Sequence, residues 1–440
     1  MVVEWPWHEV SQLMAEGKLV IGDGYRAKNE ELASSGLPFA RAGNINDGFR
    51  FDDADHFPEE SLARVGNKVS QPGDVVFTSK GTVGRFAFVR ATTPRFVYSP
   101  QLCFWRSLDH EAIDPQFLYY WMFGREFFVQ FKGVAGQTDM AEYVSLTDQR
   151  RMHITIPPLP EQRAIAHLLG TLDDKIELNR RMNETLEAMA RALFKSWFVD
   201  FDPMRAKAKG RDPGLPKSIA DIFPDRFEDS ELGEIPSGWG VGRFGDVVEQ
   251  LRDQENPLSA TDAQFSHYSI PAFDEGQWPK TELGESIKSL KSRVPLGVIL
   301  LSKLNPEIER VWLVDIRSGE RAVCSTEFLV LRARSPFTRS YAYCLARSPV
   351  FRQQIESLVT GTSKSHQRAQ VDAILNLGVF VPPSPIVEAF ERSASSLLTR
   401  TLGGRRESSN LTALRDALLP KLISGELRVK DAELFIGRAV

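Results

Sequence analysis

The chain has 440 residues, of which 42% are hydrophobic and 25% are charged, with a net charge of −4 at pH 7. This balance is typical of globular proteins and excludes a wholly disordered or fibrous chain. Three cysteines cannot build a disulfide framework, and their odd count suits a reducing, cytoplasmic environment. The first residues have neither a basic nor an apolar stretch, so we expect no signal peptide, and no apolar run is long enough to span a bilayer.

The sequence lacks the common signatures of catalysis. It contains no phosphate-binding loop, no Gly-x-Ser-x-Gly elbow and no His or Cys spacing typical of a metal site. Gly22-Asp-Gly24 begins like a dinucleotide fingerprint, but no apolar strand leads into it, so a turn is the better interpretation. We therefore expect no catalytic residues, no metal and no bound cofactor on this chain.

An internal repeat is the strongest signal in the sequence. Ile156-Pro-Pro-Leu-Pro160 recurs as Val381-Pro-Pro-Ser-Pro385, and Ser99–Phe104 corresponds to Ser325–Val330. With a small change of register, Pro72–Lys80 maps on Pro295–Lys303. The blocks keep the same order in both halves, which predicts two copies of one unit, each a globular part followed by a long helix.

The first long helix is predicted from about residue 161 to 198, and the second from about 386 to 423. Asn179 interrupts the first, while the second contains Gly403-Gly404 and Pro420, which should end or kink its last turn. Each helix would be about 57 Å long at 1.5 Å per residue. We expect the two helices to pair; the alternative is that each packs only on its own globular part. The predicted apolar seams consist of Ile165, Leu168, Leu172, Ile176, Met182, Leu186, Met189 and Leu193 in the first helix, and Phe390, Ala394, Leu397, Thr401, Leu411, Leu414, Leu418 and Leu422 in the second.

The globular parts are predicted to be mixed α and β. Short β-branched runs broken by Gly and Pro in 69–88 and 294–314 indicate strands, and 114–131 and 338–358 indicate amphipathic helices. Residues 202–240 are rich in Pro, Gly and charge with little periodicity, which is typical of a linker.

Several of these stretches resemble one family, the specificity subunits of type I restriction–modification systems. The resemblance covers nearly the whole chain in order. It is carried by Ile156–Ala166, Leu172–Asn179, Ser196–Pro203, the linker motifs Phe223-Pro-Asp225 and Ile235–Trp239, Leu300–Pro306, Cys324–Val330 and Leu418–Glu426.

The resemblance implies an α+β fold with two tandem target-recognition domains and an antiparallel coiled coil with pseudo-twofold symmetry. The implied division is 1–157 and 237–383 for the recognition domains, 158–201 and 384–425 for the helices, 202–236 for the linker and 426–440 for the tail. The implied function is reading of a bipartite, asymmetric site on double-stranded DNA. Two methyltransferase subunits, carrying S-adenosylmethionine, and restriction–translocase subunits would be the protein partners. The chain itself would be non-catalytic.

Candidate DNA-binding residues are the polar side chains on Gly-containing or polar loops beside strands, since such side chains can donate to phosphates or base edges. Ser302–Asn305 is taken to hold the place that Ser79–Thr82 holds in the first copy. The candidates are Arg41, Asn44, Ser79, Lys80, Thr82, Gln137, Thr138, Lys303, Asn305, Thr362, Ser363, Lys364, His366 and Arg368.

Charge limits how tightly this chain alone should bind DNA. Phosphate contacts supply most non-specific affinity, and no segment of this chain is strongly basic. We therefore expect tight binding only with the methyltransferase partners. Two other functions remain open: an assembly scaffold that has lost DNA readout, and an enzyme with its own methyltransferase or nuclease centre.

Overall fold

The computed structural model describes residues 5–46, 48–80, 84–135, 144–358 and 367–432. The chain divides into two compact units, Met1–Lys175 with Leu411–Val440, and Ile176–Asn410. Each unit contains one globular domain together with part of each of two long helices.

The first globular domain is built around a four-stranded antiparallel sheet in the order β2-β8-β5-β6. A three-stranded sheet, β4-β3-β7, contains one parallel pair, and β1 pairs with β9 so that the two ends of the domain are joined. The elements are β1 (Trp7–Glu9), α1 (Val10–Ala15), β2 (Leu19–Asp23), β3 (Leu37–Ala40), β4 (His56–Phe57), β5 (Val75–Thr78), β6 (Phe86–Phe88), β7 (Val97–Tyr98), β8 (Leu102–Ser107), α2 (Pro115–Trp121), α3 (Arg125–Ala135), α4 (Leu146–Arg150) and β9 (His153–Thr155).

The second globular domain repeats this topology. Its sheet β13-β21-β18-β19 matches β2-β8-β5-β6, the pair β12–β22 matches β1–β9, and the parallel pair β15–β20 matches β3–β7. After α5 (Leu159–Phe198) come α6 (Asp202–Ala208), α7 (Lys217–Ala220), β10 (Phe227–Ser230), β11 (Gly233–Pro236), β12 (Gly240–Arg243), α8 (Phe244–Val247), β13 (Val248–Leu251), β14 (Gln254–Glu255), β15 (Gln264–Tyr268), α9 (Ile270–Asp274), β16 (Lys280–Leu283), β17 (Lys291–Arg293), β18 (Val298–Ser302), β19 (Val311–Leu313), β20 (Ala322–Cys324), β21 (Phe328–Ala333), α10 (Arg339–Ala346), α11 (Pro349–Ser357), α12 (Val371–Leu375), β22 (Gly378–Val381) and α13 (Ser384–Ile423).

The segment expected to be a linker is folded. It contains α6, α7 and the hairpin β10–β11, and it buries Met204 and Phe223 in the core of the second unit. Its Pro and Gly residues set turns between these short elements, while its few aromatic side chains supply the burial that holds them.

The helices α5 and α13 pair antiparallel. In the first unit, Ile165 and Leu169 near the start of α5 share a core with Leu422 near the end of α13. In the second unit, Phe194 near the end of α5 shares a core with Phe390 near the start of α13. Each globular domain thus packs on its own helix and on the other one, so the alternative in which each helix serves only its own domain is wrong.

The predicted seam is wrong in the middle of α5. The structure buries Asn179, Asn183 and Glu187 there, while of the predicted seam residues Met189 is 52% exposed and Met182 and Leu186 are only half-buried. Asn179 donates from Nδ2 to Glu407 at 2.9 Å, so polar partners on α13 select the buried face. The apolar periodicity of the sequence therefore marks, in this stretch, a face that the chain leaves partly exposed.

Two irregular positions of α13 differ in their consequences. The helix continues through Pro420 to Ile423, so this proline does not end it. A Cβ added at Gly404 would lie 2.4 Å from Oδ1 of Asn183, whereas a Cβ added at Gly403 would meet nothing within 4 Å. Gly404 therefore permits the close approach of the two helices at their polar centre.

Candidate nucleic-acid interface

Two segments of the second domain run side by side beyond the end of β18. The backbone N–H of Lys303 donates to Glu327 O at 3.0 Å, and Ala369 N–H donates to Lys303 O at 2.9 Å. Asn305 N–H donates to Gln367 O at 2.8 Å. The sequence-predicted residues of the segments 303–305 and 367–369 are therefore brought together at one edge of the domain.

The charged groups at this edge differ in availability. The Arg368 guanidinium forms a two-pronged contact with the Glu327 carboxylate, with nitrogen–oxygen distances from 2.8 to 3.1 Å, and this hydrogen bonding raises the pKa of Arg368. The Lys303 ammonium forms no ion pair with any described residue. Asn305 has a left-handed backbone (φ 48°), and its Oδ1 is buried with no described partner. Lys303 is therefore the freer cation of this edge.

In the first domain the corresponding loop begins after β5. Ser79 is only 1% exposed; its N–H donates to Gln101 O at 3.0 Å, and its carbonyl accepts from Val144 N–H at 3.1 Å. Lys80 is exposed and makes no ion pair within the described part of the chain. Ser79 therefore contributes backbone hydrogen bonds while its side chain is buried, and Lys80 is the residue whose side chain is accessible.

Arg41 and Asn44 form a tight turn next to this loop. Asn44 accepts from the backbone N–H of Arg41 at 2.8 Å and donates to the carbonyl of Arg50 at 2.9 Å. The Arg41 guanidinium contacts the Asp55 carboxylate at 2.6 Å. Both ends of the Asn44 amide are therefore occupied, and Arg41 has a carboxylate partner before any ligand is present.

Gln101 and Glu327 belong to these edges and were not among the predicted residues. Gln101 receives a backbone hydrogen bond from Ser79, and its Oε1 accepts from the N–H of Ala42 at 3.3 Å. In the second domain, the backbone carbonyl of Glu327 likewise accepts a hydrogen bond from the N–H of Lys303. Both lie two residues after the serine of the repeated blocks 99–104 and 325–330, and that recurrence was the available signal.

The structural register of the two loops differs by one residue from the sequence match. The Ser79 carbonyl accepts from Val144, and the Lys303 carbonyl accepts from Ala369, which lies 225 residues after Val144. Ser79 therefore corresponds to Lys303, and the expected correspondence of Lys80 with Lys303 is wrong. The two Ser-Lys pairs align in sequence, but the pairing of β5 with β8 and of β18 with β21 sets the actual register.

The other candidates lie outside the described residues, so their prediction stands untested. These are Thr82, Gln137, Thr138, Thr362, Ser363, Lys364 and His366.

A cavity of about 530 Å³ lies at the other end of β18 and β21 from Lys303. Four of the residues that line it are arginines: Arg293, Arg317, Arg321 and Arg332. Arg293 lies 3.7 Å from the Glu255 carboxylate, and Arg321 lies over the ring of Phe265. This cavity therefore does not coincide with the predicted loops.

Searches for other kinds of site give negative results within the described ranges. No group of three or more His, Cys, Asp or Glu side chains there is arranged to hold a metal ion. No helix in the described part of the chain is long and apolar enough to cross a membrane.

Comparison with known proteins gives consistent matches. The family model "Type I restriction modification DNA specificity domain" matches residues 18–188. The MjaIX type I specificity subunit of Methanocaldococcus jannaschii is 24% identical over 381 residues, covering 85% of this chain and 82% of that protein. The HindI specificity subunit of Haemophilus influenzae is 24% identical over 421 residues, covering 84% and 89%.

A solved structure supports the fold. The crystal structure of a type I restriction–modification S subunit from M. genitalium aligns with a TM-score of 0.57 at 14% identity, covering 96% of both chains. At this level of identity the likeness concerns the fold alone.

Proposed function

We propose that this chain is a specificity subunit of a type I restriction–modification system and reads a bipartite and asymmetric DNA site. One observation carries the proposal. Two domains of the same topology present loops at equivalent places, and those loops carry different side chains, such as Lys80 in the first domain against Leu304 at the equivalent position of the second. Because base readout depends on the side chains offered, two different loops predict two different half-sites.

The chemistry of the loops is suited to a polyanion. Lys80 and Lys303 offer ammonium groups without carboxylate partners in the described structure. Arg368 would exchange Glu327 for a phosphate or a guanine edge, both of which accept two parallel hydrogen bonds from a guanidinium. The net charge of −4 makes weak binding by the isolated chain the expected behaviour.

Methyltransferase subunits would dock on an apolar face of α5, which we define by Leu178 and Met189, each more than half exposed, together with the half-buried Met182 and Leu186. Large apolar side chains at this exposure on a helix are typical of an interaction surface. These partners would bring S-adenosylmethionine and the transfer chemistry, and restriction–translocase subunits would join them. This chain would contribute recognition and no catalysis.

An assembly scaffold that has lost DNA readout is the second candidate. It is favoured by the pairing of Arg41 with Asp55 and of Arg368 with Glu327, which leaves fewer free cations than the sequence suggests. A scaffold would bind its partners equally well without Lys80 and Lys303, whereas a reader would lose DNA affinity.

The test is a map of methylated bases in cells that carry this chain with its methyltransferase subunit, compared with cells that lack only this chain. A split, asymmetric motif that depends on the chain supports the specificity role and gives both half-sites. Complex formation without any chain-dependent motif would favour the scaffold. Methyl transfer or strand cleavage by the purified chain alone would overturn the non-catalytic assignment.

A further inference from the structure

A three-element junction joins the first domain to the helix pair. The Asp173 carboxylate of α5 accepts from Arg415 of α13 at 2.7 Å and from the Tyr120 hydroxyl of α2 at 2.6 Å. The Asp173 side chain is 18% exposed, so water screens this contact only partly. One carboxylate thereby links both long helices to the globular domain.

A second junction of similar chemistry, with one arginine more, lies in the second unit. The Glu187 carboxylate of α5 contacts Arg405 of α13 at 2.5 Å and Arg347 at 2.8 Å, and it accepts from the Tyr343 hydroxyl of α10 at 3.1 Å. The side chains of Glu187, Arg405 and Arg347 are all about one-tenth exposed. Arg347 also contacts the Glu309 carboxylate, so the network reaches further into the domain.

The two junctions are not copies inherited from the repeat. The residue 225 positions after Asp173 is Leu398, and the N-caps Asp114 of α2 and Thr338 of α10 place Cys344, which has no hydroxyl, opposite Tyr120. In both units α5 supplies the carboxylate and α13 supplies an arginine. A junction copied by the repeat would instead have its carboxylate on α13 and that arginine on α5. The same chemistry is therefore built twice at independent positions.

We propose that the Asp173 and Glu187 junctions are positioning devices that fix how each recognition domain is oriented on its helices, and so restrict the spacer between the half-sites. The inference rests on the proposed function. A carboxylate with charged or hydroxyl partners on two other elements is satisfied in one arrangement only, and a displaced arrangement leaves a poorly solvated charge unpaired. Because one base pair of spacer corresponds to ~3.4 Å along the duplex, a loosened domain would accept neighbouring spacers.

The experiment uses the complete methyltransferase complex and a library of sites whose half-sites are separated by the native spacer or by one base pair more or fewer. Tyr120→Phe and Tyr343→Phe remove one hydroxyl each, and Asp173→Asn and Glu187→Gln remove the charge. We expect methylation of non-native spacers, relative to the native one, to rise about tenfold, a ratio that corresponds to ~1.4 kcal/mol. The bases read in each half-site should not change.

Two neighbouring tyrosines provide matched controls. The Tyr119 hydroxyl makes no hydrogen bond within the described residues, and the Tyr341 hydroxyl donates to Phe380 O at 3.3 Å outside the junction. Tyr119→Phe and Tyr341→Phe should keep the native spacer preference. The proposal is overturned if the four junction variants keep that preference, or if they only lower methylation equally at every spacer. If the wild-type complex methylates no split motif, the proposed function itself fails. That result is distinguishable from an unchanged spacer preference and from a uniform loss of methylation.

Discussion

Lys303 is the described candidate whose environment most favours contact with DNA, because its backbone is fixed on both sides and its ammonium has no ion-pair partner among the described residues. We expect Lys303→Ala to weaken binding of DNA by the assembled complex. If Lys303 contacts one phosphate, the slope of log affinity against log salt should become shallower by ~0.9. Equilibrium binding measured over a range of salt concentrations checks this.

Lys217→Ala is the control for that measurement. Lys217 is an exposed lysine at the start of α7, outside both candidate loops, so its removal changes the net charge equally. Equal effects of the two variants would mean that Lys303 acts only through overall charge. An unchanged slope in Lys303→Ala would argue against a phosphate contact.

Glu187 makes the stability of the second unit depend on pH. Burial alone raises its pKa, but Arg405 and Arg347 outweigh burial and hold the pKa of Glu187 below its ordinary value of 4.5. The carboxylate therefore stabilises the fold fully above pH 4.5, and this contribution is lost as pH falls through the lowered pKa. Glu187→Gln should cost ~3 kcal/mol at neutral pH because it leaves buried arginines uncompensated.

Denaturant unfolding at several pH values between 7 and 3 checks this pH dependence. The free energy of unfolding of Glu187→Gln should fall less steeply with acid than that of the wild type. Glu184, whose side chain is 61% exposed and pairs with Arg180, gives the control, since Glu184→Gln should cost under ~1 kcal/mol. Parallel pH curves for Glu187→Gln and the wild type would contradict the assignment.

At single residues, sequence patterns named candidate loop residues but did not predict the burial or the partners of their side chains. Ser79 looks like a loop donor in the sequence, yet strand pairing buries it. Arg368 looks like a free cation, yet Glu327, from a distant part of the chain, pairs with it. Such outcomes depend on contacts between residues far apart in sequence, which local spacing does not contain.

Gly403 and Gly404 of α13 are neighbours in sequence with opposite expected responses to alanine. Gly404→Ala should destabilise the second unit by ~1–3 kcal/mol, because its Cβ would clash with the buried Asn183 side chain. Gly403→Ala should stabilise the unit by ~0.5–1 kcal/mol, because that position is open and alanine favours the helix. Denaturant unfolding of both variants tests this contrast, and equal effects would contradict the polar close approach.

For whole elements, the sequence predicted the long helices to within two residues at each end, because proline signals and three-four spacing are local properties. It placed the middle of the α5 seam on the wrong face. Apolar periodicity indicates which face of a helix is apolar, but it does not indicate which face packs against another helix. Here Asn179 and Glu187 have partners on α13 strong enough to bury a polar face.

For the whole molecule, the repeat in the sequence predicted the repeat in topology, including the matching order of the four-stranded sheets, although the other sheet has three strands in the first domain and five in the second. The apolar face of α5 is less symmetric. The positions 225 residues after Leu178 and Met182 hold Gly403 and Glu407, so α13 does not reproduce that part of the face. We therefore expect the two proposed methyltransferase subunits to depend unequally on the four residues of α5.

The double variant Leu178→Glu, Met189→Glu tests this docking surface. Both side chains are more than half exposed, so the charges should leave the fold intact, as circular dichroism and thermal unfolding would verify. In co-purification and in mass measurement of the complex, we expect the variant to retain at most one methyltransferase subunit, because a carboxylate buried without a partner is costly. Lys217→Glu, in the connecting segment, should retain two. Retention of two subunits by the double variant would place the docking surface elsewhere on the chain.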